Sequence, residues 1–509
     1  MSTLLFALAL AMQQVPDLVL DGAVPAEVAY FEIPLEVPAG TVEFQIAHHS
    51  TDDADVLDWG LLEPGGGFRG YGGGNLEDTV IGVAASSRSY VPGTIPAGTW
   101  ALYVGKARVS SASPGYHVEV TFRTTATLPP ATDRSPYAEA APLETRARFF
   151  AGDFHVHSED SGDARPPLEE IASFAESRGL DFVVLTEHNT IAQVDRLGAV
   201  QARHPALLLV PGLELTTYEG HAGCFGATRW VDHRLGYGDA TLASALEALA
   251  AQEALVFINH PSIELGDLCI GCAWRLGIPP LGSIHGVEIA SGGWAQAGRY
   301  FALDAMALWE SMLDAGHHLA AIGGSDDHQA GQGVQSPIGD PTTLVFAQGL
   351  GAAALREGIL ASRTVVKMQG PGDPMITLET DPARSGDTVF ANETRVHATV
   401  TGGVGARFRF VQNGRGVAQS LEITGDPQTF TLVRSVPAKG DLAMRVRAEV
   451  LIEDQGELVP RTLTSYVWLE PAPPADGCSC ASARARTTVD AGWLAAIAAL
   501  WLSRRIRRR

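Results

Sequence analysis

Lysine is almost missing from this 509-residue chain: Lys106, Lys367 and Lys439 stand against 33 arginines, a bias that reads as genomic. No lysine falls between Lys106 and Lys367, so a carboxylated lysine bridging two metals is excluded from that stretch. Positive charge is scarce altogether, with 36 basic against 58 acidic residues and a net charge of -22. That balance argues against a nucleic-acid surface, which recruits basic side chains. Cysteine is limited to five residues. Cys269-Ile270-Gly271-Cys272 has no second CxxC to complete a structural zinc site, Cys224 stands alone, and nothing thioredoxin-like surrounds the pair. A local disulfide is the expectation, provided the chain is exported.

Long apolar runs are also lacking, except for two short ones at the ends. Residues 1–12 carry Leu4–Ala11 with small residues at the close, which suits a secretory signal peptide although no basic residue precedes it. Ala491–Leu502 falls short of the roughly 20 residues that a full span needs. The arginines of 504–509 behave as a cytoplasmic stop. With Cys478 and Cys480 upstream, this tail over 476–509 resembles the C-terminal sorting signals of myxobacterial exported proteins. The resemblance implies processing near those cysteines and membrane or cell-surface attachment through the tail.

What remains is globular in composition, and the length predicts two to four domains. Residues 17–127 alternate short apolar segments with Gly and Pro, the pattern of an all-β sandwich. Asp52, Asp53, Asp55 and Asp58 there could hold Ca²⁺ through oxygen, but such a run reads more readily as a solvated loop. A Pro- and Ala-rich linker covers 128–143. Over 148–369 apolar strands alternate with helical patterns, predicting a seven-stranded parallel (β/α) barrel, with a doubly wound open sheet as the alternative. The strands are expected at Gly152–Val156, Phe182–Leu185, Leu207–Val210, Leu255–Ile258, Val287–Ala290, Leu319–Ile322 and Thr343–Phe346. Residues 371–470 return to alternating strands of immunoglobulin-like extent. The fold expected is therefore multidomain, an α/β barrel flanked by two all-β sandwiches.

Eleven of the 15 histidines lie between His155 and His328. Asp153, His155 and His157 share one face of a strand, since strand side chains alternate with period two. His188, Glu214, His260, Asp326 and His328 each follow the C-terminal end of a later strand, where barrel active sites are built. One such residue is commonplace; five strand ends repeating it, counting that of His155 and His157, is not. An amidohydrolase-type barrel also opens with His-x-His, but it uses the carboxylated lysine that this stretch lacks. Glu214 is left as the bridge.

The motifs Asp153-Phe154-His155-Val156-His157-Ser158 with Ser161-Gly162-Asp163, Thr186-Glu187-His188-Asn189, Pro211-Gly212-Leu213-Glu214, Asn259-His260-Pro261 and Gly324-Ser325-Asp326-Asp327-His328 resemble those of the PHP (polymerase and histidinol phosphatase) metal-dependent hydrolases. Gly220-His221, the Trp294–Trp309 segment and Ile338–Thr343 make the CehA/McbA branch, named for carbamate ester hydrolases, the nearest likeness. The resemblance implies a distorted seven-stranded barrel with two or three divalent transition metals, Zn, Mn or Fe. By position His155, His157, Glu214 and Asp326 would hold one metal, Asp163, His188 and His328 a second, and Glu214 with His260 a third. The partner of His260 is left among Glu288, His285 and His221. Asp153 is expected to orient a ligating imidazole. Glu214, His221 and Asp326 are the candidate catalytic residues, and Arg275 and Arg299 candidate substrate contacts.

Adjacent divalent ions present a bridging water as hydroxide and polarise the scissile group. The function expected is therefore an exported hydrolase of a small-molecule ester, a phosphoesterase first and a carboxyl or carbamate ester hydrolase as the alternative. A surface binding protein with an inactive barrel is the reading outside enzymes.

Overall fold

The computed structural model describes residues 15–332, 337–381, 383–436 and 444–473. The signal peptide expected at 1–12 and the sorting tail at 476–509 lie outside the described residues. Among the described residues, no helix is long and apolar enough to cross a membrane.

Between Leu18 and Arg123 the chain makes two antiparallel four-stranded sheets. Tyr30–Val37 shows why they pack face to face. Ile33, Leu35 and Val37 are buried while Glu32, Pro34 and Glu36 are exposed, the period-two split of a half-buried strand. The inward residues meet Phe44, Ile46, Val118 and Val120 of the opposite sheet around the fully buried Trp59 and Trp100. Elsewhere in the sandwich that split is lost: Val56–Leu62 is buried on both faces near its end and Phe68–Gly73 is glycine-rich, so neither alternates.

Nine strands form the central sheet: β1 (Arg148–Val156), β2 (Phe182–Leu185), β3 (Leu208–Thr217), β4 (Gly220–Phe225), β5 (Leu255–Ile258), β6 (Gly286–Ser291), β7 (Ala320–Gly324), β8 (Thr342–Ala347) and β9 (Thr364–Lys367). Their order is β7-β6-β5-β4-β3-β2-β1-β8-β9. The all-parallel arrangement expected for 148–369 requires correction, because the sheet is mixed. β1, β2 and β3 are parallel, as are β5, β6 and β7. Between them β4 runs antiparallel to both neighbours. The Tyr218-Glu219 turn joins β3 to β4, and a two-residue connection can only make a hairpin. β4 escaped the reading because Gly220-His221-Ala222-Gly223-Cys224 has no β-branched run. Thr343–Phe346, expected as a seventh parallel strand, lies in β8 and pairs antiparallel with β1.

The chain leaving β7 returns to β1. Asp326 N–H donates to the His155 carbonyl at 2.8 Å, and His157 N–H donates to the Asp327 carbonyl at 3.0 Å. Phe150, Phe154, Phe182, Val210, Phe225, Phe257 and Ile322, from β1 to β5 and β7, form one core beneath. Each ring buried there contributes about 2–3 kcal/mol of transfer free energy. Helix Leu168–Ser177 packs Ile171, Ala172 and Ala175 against Val183 and Leu185 from outside.

β9 pairs antiparallel with Glu457–Thr464, which carries the sheet on into Met444–Asp454 and Arg407–Gln412. A three-stranded sheet of Met375–Thr380, Glu393–Thr401 and Gln428–Ser435 faces these strands across Leu378, Val396, Phe408 and Val446. The boundary expected near residue 370 is therefore crossed by a continuous ladder.

Candidate metal centre

All eight residues expected to hold metal, together with His221, meet at one end of the central sheet. Glu214 is at the middle and fully buried. Its Oε1 lies 3.2 Å from His155 Nε2, 3.2 Å from His260 Nε2 and 3.5 Å from His221 Nδ1. Its Oε2 lies 2.7 Å from His188 Nδ1 and 3.8 Å from His157 Nε2. Asp326 Oδ1 is 3.1 Å from His157 Nε2 and 3.3 Å from His155 Nε2. Asp163 Oδ2, on a side chain 56% exposed, is 3.3 Å from His188 Nε2 and 3.5 Å from His328 Nε2.

Each ring is held from behind. His157 Nδ1 meets Ser161 Oγ at 2.9 Å, and His328 Nδ1 donates to the Asp326 carbonyl at 2.9 Å. Asn259 Nδ2 donates to Glu214 Oε1 at 2.8 Å. Asp153 requires correction. Its carboxylate accepts main-chain N–H groups, from His155 and Ser325 at Oδ1 and from Gly339 at Oδ2 (2.7 Å), and orients no imidazole. The carboxylate beside an imidazole is Glu288, with Oε1 3.2 Å from His155 Nδ1 and Oε2 accepting His260 N–H at 2.7 Å.

The backbone turns sharply where these residues sit. Asn189, His260 and Asp326 have φ of 50°, 25° and 56°, positions that cost about 1–3 kcal/mol each and that cluster at functional sites. At Gly324 a Cβ would fall 2.4 Å from His155 Cβ and 2.6 Å from Glu288 Oε1. Only glycine lets β7 approach β1 this closely.

Electrostatics follows from the crowding. Burial opposes charge on His155, but the carboxylates of Asp326, Glu214 and Glu288 outweigh it and hold the ring well above its ordinary range. His157 goes the other way, down to about 3, through burial and then the neighbouring imidazoles of His328 and His188. Glu214 is held well below the usual carboxylate range, its burial overcome by His155, His188 and His221.

Donor atoms close enough to share an ion fall into the sets His155–His157–Asp326, His155–Glu214–His260 and His157–His188–His328. The buried His157 Nε2 and His221 Nδ1 make no hydrogen bond. A buried imidazole nitrogen without a partner, aimed at carboxylates, is what a metal ligand looks like before its ion is considered. The clusters fit metal binding. His221, His260 and Cys272 also lie close, but Cys272 is bonded to Cys269 in the expected disulfide and offers no thiolate.

Of the three partners considered for His260, His285 is turned away, accepting Val256 N–H at 3.0 Å. Glu288 is engaged from behind, which leaves His221 beside it. Arg275 is exposed and paired with Glu264, and Arg299 lies beside Tyr300. Neither lines the cleft. Asp52 and Asp53 are exposed, Asp55 accepts the N–H groups of Ser110 and Ser111, and Asp58 points elsewhere, so the acidic run forms no common site.

A cleft of about 900 Å³ opens above the centre, lined by Asp163, His188, His221, His260, Asp326 and His328. Its other wall comes from the N-terminal sandwich, through Asp58, Tyr71 and Gly72–Gly74. Sequence reasoning weighed Asp58 only as part of a Ca²⁺-binding run and gave Tyr71 and Gly72–Gly74 no role; nothing in their local pattern marks them as a cleft wall. Asn259 was within reach, as the neighbour of His260 in its motif.

No family model matches the chain, and no curated protein matches it. Among solved structures it is similar to a two-domain Bacteroides vulgatus protein containing a predicted PHP-like metal-dependent phosphoesterase. That likeness has 20% identity and a TM-score of 0.34, over 65% of this chain and 99% of the other. It is also similar to a Bifidobacterium adolescentis protein whose name offers it as a metal-dependent phosphoesterase, at 13% identity and a TM-score of 0.26, over 41% and 95%.

Proposed function

We propose that the chain is a metal-dependent hydrolase of the PHP type, closest to its CehA/McbA branch, and that it cleaves a phosphoester. The observation that carries this reading is the division of the Glu214 carboxylate, one oxygen facing His155, His260 and His221 and the other His188 and His157. A buried carboxylate so placed can bridge two ions. His155, His157, Glu214 and Asp326 would hold one, Asp163, His188 and His328 a second, and Glu214 with His260 and His221 a third. Bound divalent ions supply Lewis acidity to the ester oxygen and acidify a water. The chain does the rest. Asn259 fixes the rotation of Glu214, Ser161 and the Asp326 carbonyl fix the rings of His157 and His328, and the cleft walls limit solvent around the ester.

One observation favours a second reading, hydrolysis of a neutral carboxyl or carbamate ester. Among the described cleft residues Arg165 is the one permanent cation, against Asp58, Asp163, Asp267 and Asp326. The disulfide accords with an oxidising compartment, and we read the chain as exported and attached to membrane or cell surface through its tail.

Elemental analysis of purified protein, reconstituted with Zn²⁺ or Mn²⁺, is expected to give two or three equivalents. Aryl phosphates, phosphodiesters and aryl carbamates, assayed beside a His155→Ala/His157→Ala control, separate the two chemistries. Absence of bound metal overturns the hydrolase reading.

A further inference from the structure

The Cys269–Cys272 disulfide lies on the wall of the cleft. Two carbonyls of its four-residue ring face the centre. His221 Nε2 is 3.3 Å from the Ile270 carbonyl, and His260 Nδ1 is 3.3 Å from the Cys272 carbonyl. A carbonyl only accepts, so each contact needs an N–H on the nitrogen that faces it. The two adjacent rings are thereby set in opposite tautomers. His260 carries its hydrogen on Nδ1 and turns a bare Nε2 to Glu214 Oε1; His221 carries its hydrogen on Nε2 and turns a bare Nδ1 to the same oxygen. His221 Nδ1 has no hydrogen-bond partner of its own.

The loop is fixed where it must be. Gly271 has φ of 79°, and a Cβ on it would fall 2.2 Å from the Thr217 carbonyl, so the ring is wedged against the β3–β4 hairpin that carries Glu214 and His221. Arg275 N–H donates to the Glu219 carbonyl at 2.7 Å and Trp274 N–H to the Pro261 carbonyl at 2.9 Å, tying the segment to both ligand-bearing turns. Cys272 itself is buried.

We propose that the disulfide ring is a positioning element that fixes the tautomers of His221 and His260, so that both present a bare nitrogen beside Glu214 Oε1. The inference rests on the metal-centre reading and adds to it a condition on cysteine oxidation. Opening the S–S bond leaves the carbonyls of Ile270 and Cys272 on an unclosed loop, and the two rings lose their fixed hydrogen-bond acceptors. Groups behind metal ligands are worth about 10- to 100-fold in metal affinity.

The test compares the folded protein before and after treatment with a water-soluble phosphine. The phosphine becomes its oxide, taking oxygen from water, while the disulfide gains two electrons and two protons to give two thiols. Zn²⁺ affinity is read by competition with a chromophoric chelator. The imidazole nitrogens of the Zn²⁺-loaded protein are read by long-range ¹H–¹⁵N correlation. Reduction is expected to weaken one equivalent about 10- to 100-fold and leave the others unchanged. The His260 Nδ1–H and His221 Nε2–H signatures should be lost, and a Cys269→Ser/Cys272→Ser variant should behave alike. In a His221→Ala/His260→Ala background reduction should change nothing further. Unchanged affinity and tautomers overturn the proposal, as does parallel weakening of every equivalent with a falling Tm, which would make the ring merely structural. If the oxidised protein binds no Zn²⁺, the metal-centre reading falls and this inference with it.

Discussion

The Tyr218 hydroxyl donates to Asp58 Oδ2 at 2.8 Å. Tyr218 sits in the turn of the hairpin that bears Glu214 and His221, and Asp58 belongs to the N-terminal sandwich, so this bond joins the two walls of the cleft. Burial raises the Asp58 carboxyl from 3.8 to about 6, against hydrogen bonds from Tyr218 and Tyr71 that lower it. The folded state therefore holds this proton more tightly than the unfolded chain does. The stability it contributes is complete below about pH 3.8 and is lost as pH rises through about 6. Urea unfolding at pH 4 and pH 7 should show wild type losing stability relative to Asp58→Asn over that interval. An unchanged difference between the two proteins would refute the assignment.

Arg88 of the sandwich donates to the carbonyls of Ala164 at 2.9 Å and Glu159 at 3.3 Å, bracketing Asp163. Ser89 N–H adds a bond to Asp160 Oδ1 at 3.2 Å. Arg88→Ala should speed amide exchange over 159–165 and cost about 1–2 kcal/mol of stability. Exchange as slow as in wild type would show that the sandwich does not hold the segment of the proposed ligand Asp163.

Asp153→Ala removes the acceptor for three main-chain N–H groups, on His155, Ser325 and Gly339. Each buried donor left unpaired costs about 1–3 kcal/mol, so unfolding should show a loss of about 3 kcal/mol or more. A loss below 1 kcal/mol would mean that water replaces the carboxylate.

Asn259→Ala leaves every proposed metal ligand in place and removes the amide that fixes Glu214 at 2.8 Å and lies 3.5 Å from His155 Nε2. Metal affinity should fall about 10- to 100-fold. The Zn²⁺-dependent rise in Tm should shrink with it, since a ligand at 100 times its dissociation constant stabilises by about 2.7 kcal/mol. An unchanged Tm rise would place the amide outside the centre's support.

The centre was largely legible because its residues sit at strand ends and repeat there. His155, His188, Glu214, His260 and Asp326 could each be placed without knowing how the strands pair. Asp153 and Glu288 were harder to separate. Both are buried carboxylates on strands, and only the distance from Glu288 to the His155 ring shows which one faces an imidazole. The mixed sheet was hidden for a local reason: β4 is built from small residues, and its direction is set by a two-residue turn rather than by its own pattern. The second wall of the cleft was beyond reach. Asp58 lies more than 90 residues from the first histidine of the centre, and no periodicity encodes a contact between separate sheets.

The ladder between Thr364–Lys367 and Glu457–Thr464 bears on how the protein can be dissected. Ending the chain near residue 370 would uncover the Thr364 carbonyl, the Met368 N–H and the main-chain groups of Val366 between them, along a hydrophobic margin, Thr364-Val365-Val366, that is now fully covered. Bare margins of that kind recruit strands from other molecules. It would also remove the Ser465 hydroxyl, which accepts Ala321 N–H at 3.1 Å within the strand leading to Asp326. A fragment trimmed to the metal centre alone is thus a candidate for self-association, and the C-terminal strands serve the central sheet as its built-in shield.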